Sequence, residues 1–337
     1  MTERVVCLGE GLVVLHPDRP GGLGASGLLR CSVGGAEANV AGALTALGVP
    51  TAWLSRLGSD PFGDLVEQDL LARGVRVLAE RDELRPTGLY VKDSGAAGSR
   101  VYYYRAGSAA SAMDAAVLSD PEVTGALEAC DLVHTSGITA GVIADGSDLL
   151  PRLLDARERH GFVLSVDLNW RPAVWRGRSL DPLHELLRAA DVLLLGADEA
   201  EASLGTADPA ALRDLVGPRP RLVVKDDSHA AHEIAPDGTI TDVPALRVEV
   251  VEPVGAGDGF AAGYLAALLD GADAVRRLRL GHLVAASVLA EAGDHAHPPD
   301  AATRAALLAA DPDDWGATRV SRSGVDSPAL AGAGGGR

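Results

Sequence analysis

Residues 246–269 read LRVEVVEPVGAGDGFAAGYLAALL, and the fold and the chemistry both start from this stretch. Leu246–Val251 reads as a strand that runs into Gly255-Ala256-Gly257-Asp258 and then into a helix of small residues, with Phe260, Tyr264 and Leu268 on one side. Glycines at 255 and 257 let the backbone pass close to a ligand with its N–H groups converging. At the start of a helix those groups are unpaired and the dipole favours an anion. The segment is therefore read as a phosphate cradle, with Gly255, Ala256 and Gly257 as an anion hole. Asp258 stands in the first helical turn, where the positive helix end favours its ionised form and it can take a proton from an attacking hydroxyl. Phosphoryl transfer passes through a loose transition state, so positioning and charge count for more than base strength. Taken alone, the same residues also make a plain glycine turn and a helix cap.

A second glycine pair, Gly34-Gly35-Ala36-Glu37-Ala38-Asn39, precedes a helix reaching about Leu47, with Asn39 one turn in. Here too a turn with a cap competes with a ligand contact. Other phosphate motifs are excluded. GxxxxGK[ST] is absent, and Gly9-Glu10-Gly11 lacks the third glycine and the distant acid of a dinucleotide fingerprint.

Outward from these motifs the rhythm is strand then helix. Val5–Leu8, Leu132–His134, Val163–Val166, Val192–Leu195 and Leu222–Val224 read as buried strands. Phe62–Arg73, Leu149–His160 and Pro182–Ala190 carry leucines at helical spacing. This alternation predicts an α/β fold, a mostly parallel central sheet with helices on both faces. Gly88–Val91 and Arg100–Arg105 break it with alternating, aromatic-rich character, and Gly22–Val33 has no helical period. They predict a small β-strand lid drawn from about 12–33 and 86–106, within one domain over 1–316. Residues 317–337, rich in Ser, Gly, Ala and Arg, are expected to be a disordered tail without function.

The chain has 337 residues, 47% hydrophobic, enough for a large core. Its net charge of −17 argues against a nucleic-acid partner and an anionic membrane surface, leaving small molecules. Cys7, Cys31 and Cys130 form no CxxC and read as buried, reduced thiols. The start of the chain shows no signal peptide and no apolar stretch is long enough to span a bilayer, so a cytoplasmic protein is expected. His229/His232 and His295/His297 lack a third ligand at sensible spacing for a metal.

GGAEANVAGALTALGVPTAWLSRLGSDPFGD and EPVGAGDGFAAGYLAALL together resemble the two signature regions of the PfkB (ribokinase-like) carbohydrate kinases, over roughly residues 4 to 310. Within that family the chain looks most like 2-keto-3-deoxygluconate kinases. The shared stretches are Gly34–Glu37, Thr87–Tyr90, Arg100–Ala109, His134–Thr139, Asp167–Arg171 and Gly293-Asp294-His295. The resemblance implies ATP and Mg²⁺ as cofactors and transfer of phosphoryl to the terminal hydroxyl of a keto-deoxy sugar acid by Asp258.

It further implies that Gly34, Gly35, Ala36 and Asn39 hold the sugar's hydroxyls, that Tyr90 and Tyr103 wall the site, and that Asp294 joins them. Arg105 shares a strand face with Tyr103, and Arg105 and Arg171 suit bidentate carboxylate or phosphate contacts, whereas Tyr102 and Tyr104 are taken as packing. Asn169, Arg171, Lys225, Gly255, Gly257 and His282 are implied for the nucleotide, with Glu199 and Asp198 as candidates to orient Mg²⁺. In relatives lid strands often pair between subunits, so a homo-oligomer is expected.

The chain departs from the family pattern at three places. Lys225–Ala231 has no glycine and carries Asp226 and Asp227, which weakens the nucleotide side. Gly196 replaces the usual Asn or Ser, and Glu252-Pro253 precedes the turn. A kinase for a neutral sugar such as fructose, and a sugar-binding regulatory protein without ATP turnover, are the other readings.

Overall fold

The short apolar runs become strands buried on both sides, and the computed structural model describes residues 2–19, 22–25, 27–95, 98–291, 293 and 297–331. In chain order the strands are β1 (Val5–Leu8), β2 (Leu12–Pro17), β3 (Leu29–Gly34), β4 (Thr51–Gly58), β5 (Arg76–Asp82), β6 (Leu89–Gly95), β7 (Gly98–Tyr104) and β8 (Leu132–Ser136). There follow β9 (Val163–Asp167), β10 (Val192–Gly196), β11 (Arg221–Asp226), β12 (Ala230–Ile234), β13 (Ile240–Pro244), β14 (Arg247–Val248), β15 (Arg319–Ser321) and β16 (Gly324–Asp326).

Nine of them form one sheet in the order β13-β12-β11-β10-β9-β8-β1-β4-β5. It is parallel from β11 to β5 and antiparallel only at β12 and β13, the mostly parallel architecture the sequence rhythm predicts. Successive side chains of a strand point to opposite faces, and the burial follows suit. On β10, Val192 and Leu194 enter one core cluster while Leu193 and Leu195 enter the other. The helices Ala36–Ala46, Ala256–Leu269 and Ala274–Leu289 pack on the first face. Helices such as Leu149–His160 and Asp181–Ala189 cover the second.

The small-residue character of residues 256–269 has a packing cause. A β-carbon on Gly263 would collide with the Leu280 carbonyl, so this helix and its neighbour lie in near backbone contact. That crossing fixes where the start of the helix points.

A second, four-stranded sheet has the order β3-β2-β6-β7 and supplies the small lid of the expected fold class. Tyr90 stands opposite Tyr103 across β6 and β7. Two local expectations fail here. Tyr102 and Tyr104 do not pack inward; they are 43% and 64% exposed on β7, the edge strand of this sheet. Cys31, on the edge strand β3, is exposed, unlike the buried Cys7 and Cys130.

The expected disordered tail is corrected as well. Residues 319–326 form β15 and β16, Pro328–Ala331 is helical, and Val320 is 4% exposed within the core. One buried valine and a three-strand ladder with β14 order a segment whose composition alone reads as loose. Residues 332–337 lie outside the described residues. Among the described residues no helix is long and apolar enough to cross a membrane.

Candidate active site

The parallel strands β9, β10 and β11 end at Asp167, Gly196 and Lys225-Asp226, and these ends open into a cleft of about 890 Å³ under the four-stranded sheet. In open α/β sheets this carboxyl edge is where ligands sit. Three helices begin at the same cleft, behind Gly35, Gly196 and Gly255, and none has a side-chain cap. Elsewhere Asp60, Asp120, Asp208, Asp273, Asp300 and Asp311 cap their helices. An uncapped N-terminus leaves its first N–H groups free for an anion. Gly255 takes φ 85, a left-handed conformation that lets the chain turn abruptly into the helix.

Asp258 lies one turn into that helix. Its Oδ2 accepts a 2.8 Å hydrogen bond from Asn39 Nδ2, which ties the two glycine motifs of the sequence together. The expectation of a readily ionised Asp258 is reversed. Burial pushes its pKa up to about 8, and the charges of Asp167 and Glu37 add to this. The Asn39 bond and Lys225 oppose the shift without cancelling it. The helix dipole acts locally; loss of hydration beside two other acids acts more strongly.

Lys225 reaches under the glycine turn, its ammonium 3.6 Å from where a β-carbon on Gly257 would lie. It donates to Asp167 Oδ2 at 2.9 Å. Burial works to lower its pKa, but the carboxylates of Asp167, Glu199 and Asp258 outweigh that and hold it above its ordinary value. A charged ammonium therefore stands beside the anion turn. Asn169 follows in a left-handed conformation at φ 39, strained for a non-glycine residue, with its N–H donating to Asp167 Oδ1 at 3.2 Å. Its Oδ1 is buried without a protein partner among the described residues.

The glycine-free loop after β11 makes its turn by another means. Asp227 takes φ 42, a left-handed angle that aspartate tolerates better than most residues. The turn needs no glycine, and Asp226, Asp227 and Ser228 line the cleft.

At the lid end, the Tyr90 and Tyr103 rings lie 5.4 Å apart and form a wall. Arg105 sits 5.1 Å from the Tyr103 ring centre. The guanidinium expected to make a bidentate ligand contact is already paired within the protein. Its Nε donates to Glu10 Oε2 at 2.7 Å and its Nη2 also bonds that oxygen, while Nη1 takes no part in the pair. Glu10 is 1% exposed and needs that cation, since an unpaired buried carboxylate is costly. Arg171 likewise donates to Glu199 Oε1 at 2.8 Å. Glu199 is thus partly engaged, and among the described residues no three His, Cys, Asp or Glu side chains gather to hold a metal. Gly34 ends β3, and Gly35 and Ala36 line the cleft beside Asn39. Asp294 lies outside the described residues.

Away from the lid the cleft turns apolar, with Leu246, Val248, Val250, Phe260 and Leu289. His282 borders it, its ring edge-on to Phe260 at 5.2 Å and its Nε2 3.1 Å from the Val243 carbonyl. Burial lowers its pKa to about 4, so it is neutral and Nε2–H is the donor.

Two acids of the cleft, Glu10 and Asp167, are marked as site residues by no motif in the sequence, and Glu37 is visible there only as part of the Gly34–Glu37 turn. Glu10 belonged to the Gly9-Glu10-Gly11 segment discarded as a nucleotide fingerprint. Glu37 accepts from Ser136 at 2.5 Å and Thr139 at 2.7 Å, with its pKa raised by burial. Asp167 was available as the last residue of a strand next to Asn169.

A carboxylate of raised pKa, an ammonium and open helix N-termini, placed between an aromatic lid and an apolar slot, define a phosphotransferase cleft for small hydroxyl-bearing acceptors. The sequence matches the pfkB family carbohydrate kinase description over residues 2–301, and the chain belongs to that family. Its members are phosphotransferases with an alcohol group as acceptor. The chain is similar to the 2-dehydro-3-deoxygluconokinase of Bacillus subtilis, 29% identical over 90% of this chain and 95% of that one. It is 32% identical to the 2-dehydro-3-deoxygluconokinase of Thermoproteus tenax, over 91% and 94% of the two chains; fructokinases also match. The crystal structure of a PfkB protein from Polaromonas sp. JS666 superposes with a TM-score of 0.76 at 29% identity, covering 92% of this chain and all of that one.

Proposed function

We propose that the protein transfers the γ-phosphoryl of ATP to the terminal hydroxyl of 2-keto-3-deoxygluconate (2-dehydro-3-deoxygluconate), with Asp258 as the base. The observation that carries this is Asp258 itself: bonded to Asn39, in the first turn of an uncapped helix, and lining one cleft with Tyr90, Tyr103 and Lys225. The acceptor oxygen forms a bond to the γ-phosphorus as the bond to the ADP oxygen breaks, and its proton passes to the Asp258 carboxylate. With Oδ2 held by Asn39, Oδ1 is left for that proton. A carboxylate whose pKa is about 8 is a stronger base than an ordinary aspartate and matches a reaction run near neutrality. Gly255, Ala256, Gly257 and Lys225 stabilise the transferring phosphoryl.

Gly34, Gly35, Ala36, Asn39 and the Tyr90–Tyr103 wall hold the sugar, and Arg171 neutralises phosphate charge. The purine takes the apolar slot by His282. Mg²⁺ travels with ATP and neutralises its phosphates, held by them and water, with Glu199 and Asp198 at the cleft edge. Both acids lie against Gly196 at the end of β10, so the donor set is hard oxygen, as Mg²⁺ requires. ATP as donor and the three free cysteines fit a cytoplasmic enzyme. Leu29, Tyr102 and Tyr104, exposed on the lid strands, fit a second copy of the chain in a homo-oligomer.

A neutral sugar is the second reading, favoured by the engagement of Arg105 with Glu10. An ATP-consumption assay on 2-keto-3-deoxygluconate, its galactose-derived epimer, fructose, ribose and adenosine separates these. Turnover highest on the acids supports the first reading and highest on fructose the second. Sugar binding without turnover of any of them leaves a regulatory protein. Asp258→Asn is expected to lose about 10²–10⁴ in kcat; full activity in that variant would end the kinase assignment.

A further inference from the structure

The family match ends at residue 301, yet ordered structure continues to Ala331. The helices Ala301–Ala309 and Pro312–Ala317 lead into β15, β16 and a last short helix. This segment is built into the core. Trp315 is 1% exposed and Val320 4%, in the same cluster as Phe260 and Leu283. Trp315 Nε1 donates to the Pro244 carbonyl at 2.9 Å, and the Arg279 guanidinium lies 4.9 Å from its ring centre. Thr318 Oγ1 and Ser327 Oγ, both buried, share a 2.7 Å hydrogen bond that closes the β15–β16 turn at its base.

The partner of this segment matters more than its burial. β14 is two residues long and belongs to neither large sheet. β15 pairs with it in parallel, Arg247 opposite Arg319 and Val248 opposite Val320, and Glu249 N donates to the Val320 carbonyl at 3.0 Å. On its other side Val251 N donates to the Leu289 carbonyl at 2.7 Å. The same stretch supplies Val248 and Val250 to the apolar slot and runs directly into Gly255. A two-residue strand with polar backbone to satisfy has little rigidity of its own. Its ladder comes from beyond the family match.

We propose that residues 318–327 are a nucleotide-site element: by pairing with β14 they set Val248 and Val250 against the purine and fix the approach to the anion turn. The inference rests on the kinase reading of the cleft. Val320 is its positioning residue, touching no ligand and acting through β14. Val250, 58% exposed, presents an apolar face that a flat base would cover, whereas the sugar end of the cleft lies under the lid and shares no strand with β15.

The test uses the full-length chain carrying Val320→Asp, Val320→Ala or Val320→Ile. MgATP affinity is read by calorimetry, KM for ATP and for sugar by turnover, and folding by thermal melting. Val320→Asp is expected to raise KM for ATP about tenfold and Val320→Ala about threefold, with KM for sugar within about twofold and Val320→Ile near the parent. If Val320→Asp does not fold, Val320→Ala carries the comparison. Equal rises in both KM values, or an unchanged ATP affinity in Val320→Ala with a lowered melting temperature, would reduce the segment to a structural strut and overturn the proposal. A parent protein that binds no MgATP would remove the kinase reading and this one together. A parent that turns over normally beside unaffected variants removes this one alone.

Discussion

Arg105→Ala strips the cation from a carboxylate that is 1% exposed, and its first consequence falls on stability. Removing one partner of a buried pair costs about 3–5 kcal/mol. The lower end applies here, because Ser108 Oγ remains 3.3 Å from Glu10 Oε1 and burial already raises the pKa of Glu10, so the stranded group takes up a proton. About 3 kcal/mol is expected near pH 7 by urea unfolding, shrinking as the pH falls into the carboxylate range, where Glu10 is neutral with or without Arg105. Glu10→Gln combined with Arg105→Ala should recover most of the loss, to within about 1 kcal/mol of the parent. That double variant then isolates ligand recognition. If Arg105 Nη1 also reads a sugar carboxylate, kcat/KM on the acid falls about 10- to 100-fold relative to fructose. An Arg105→Ala protein as stable as the parent would refute the buried pair. A double variant with undiminished preference for the acid would show that Arg105 only steadies Glu10.

Other outcomes follow from the same geometry. The kcat/KM of the parent should rise with pH through an inflection near 8 as free Asp258 ionises, and a profile flat from pH 6 to 9 would contradict its role as base. Because the folded pKa of Asp258 is raised, folding is favoured below the ordinary aspartate range and that advantage is lost as pH rises through 8. Asp258→Asn should therefore raise the melting temperature at pH 8 and lose the gain near pH 4. Lys92 on β6 donates to Glu252 Oε2 at 2.5 Å, tying the lid to the residues before the anion turn, with side chains 13% and 23% exposed. Lys92→Met should lower kcat/KM about tenfold, and additive losses with Glu252→Gln would show the two are not coupled. Gly263→Ala forces a methyl onto the Leu280 carbonyl and should cost about 1–3 kcal/mol in urea unfolding.

What was legible in the sequence was local or periodic. Strands buried on both faces leave unbroken apolar runs, so Val192–Leu195 declares itself, and a glycine turn before a helix shows as GAGD. Pairings across long separations leave no such trace. Arg105 finds Glu10 across 95 positions and Lys92 finds Glu252 across 160, so each arginine or lysine reads as free until the chain is folded. The ionisation of Asp258 was misjudged for the same reason. The helix end is visible beside it in the sequence, whereas Asp167 and Glu37 reach it only through the tertiary structure. The tail was misread because a single buried valine and a ladder to β14 outweigh a composition of serine and glycine.

The two cores on either side of the main sheet divide the protein's labour. The helices bearing Asn39 and Asp258, and the Trp315–Val320 segment, share one face, while the other is covered by helices such as Leu149–His160 and Asp181–Ala189. Substitutions that enlarge, shrink or stiffen the second core reach the helices bearing Asn39 and Asp258 only through a sheet nine strands wide, whereas the helix behind Gly196 packs Ala200 into that core directly. Away from the helix behind Gly196, that face is the place to engineer tolerance to heat or solvent, and the face where neutral drift should accumulate fastest without changing what the enzyme does.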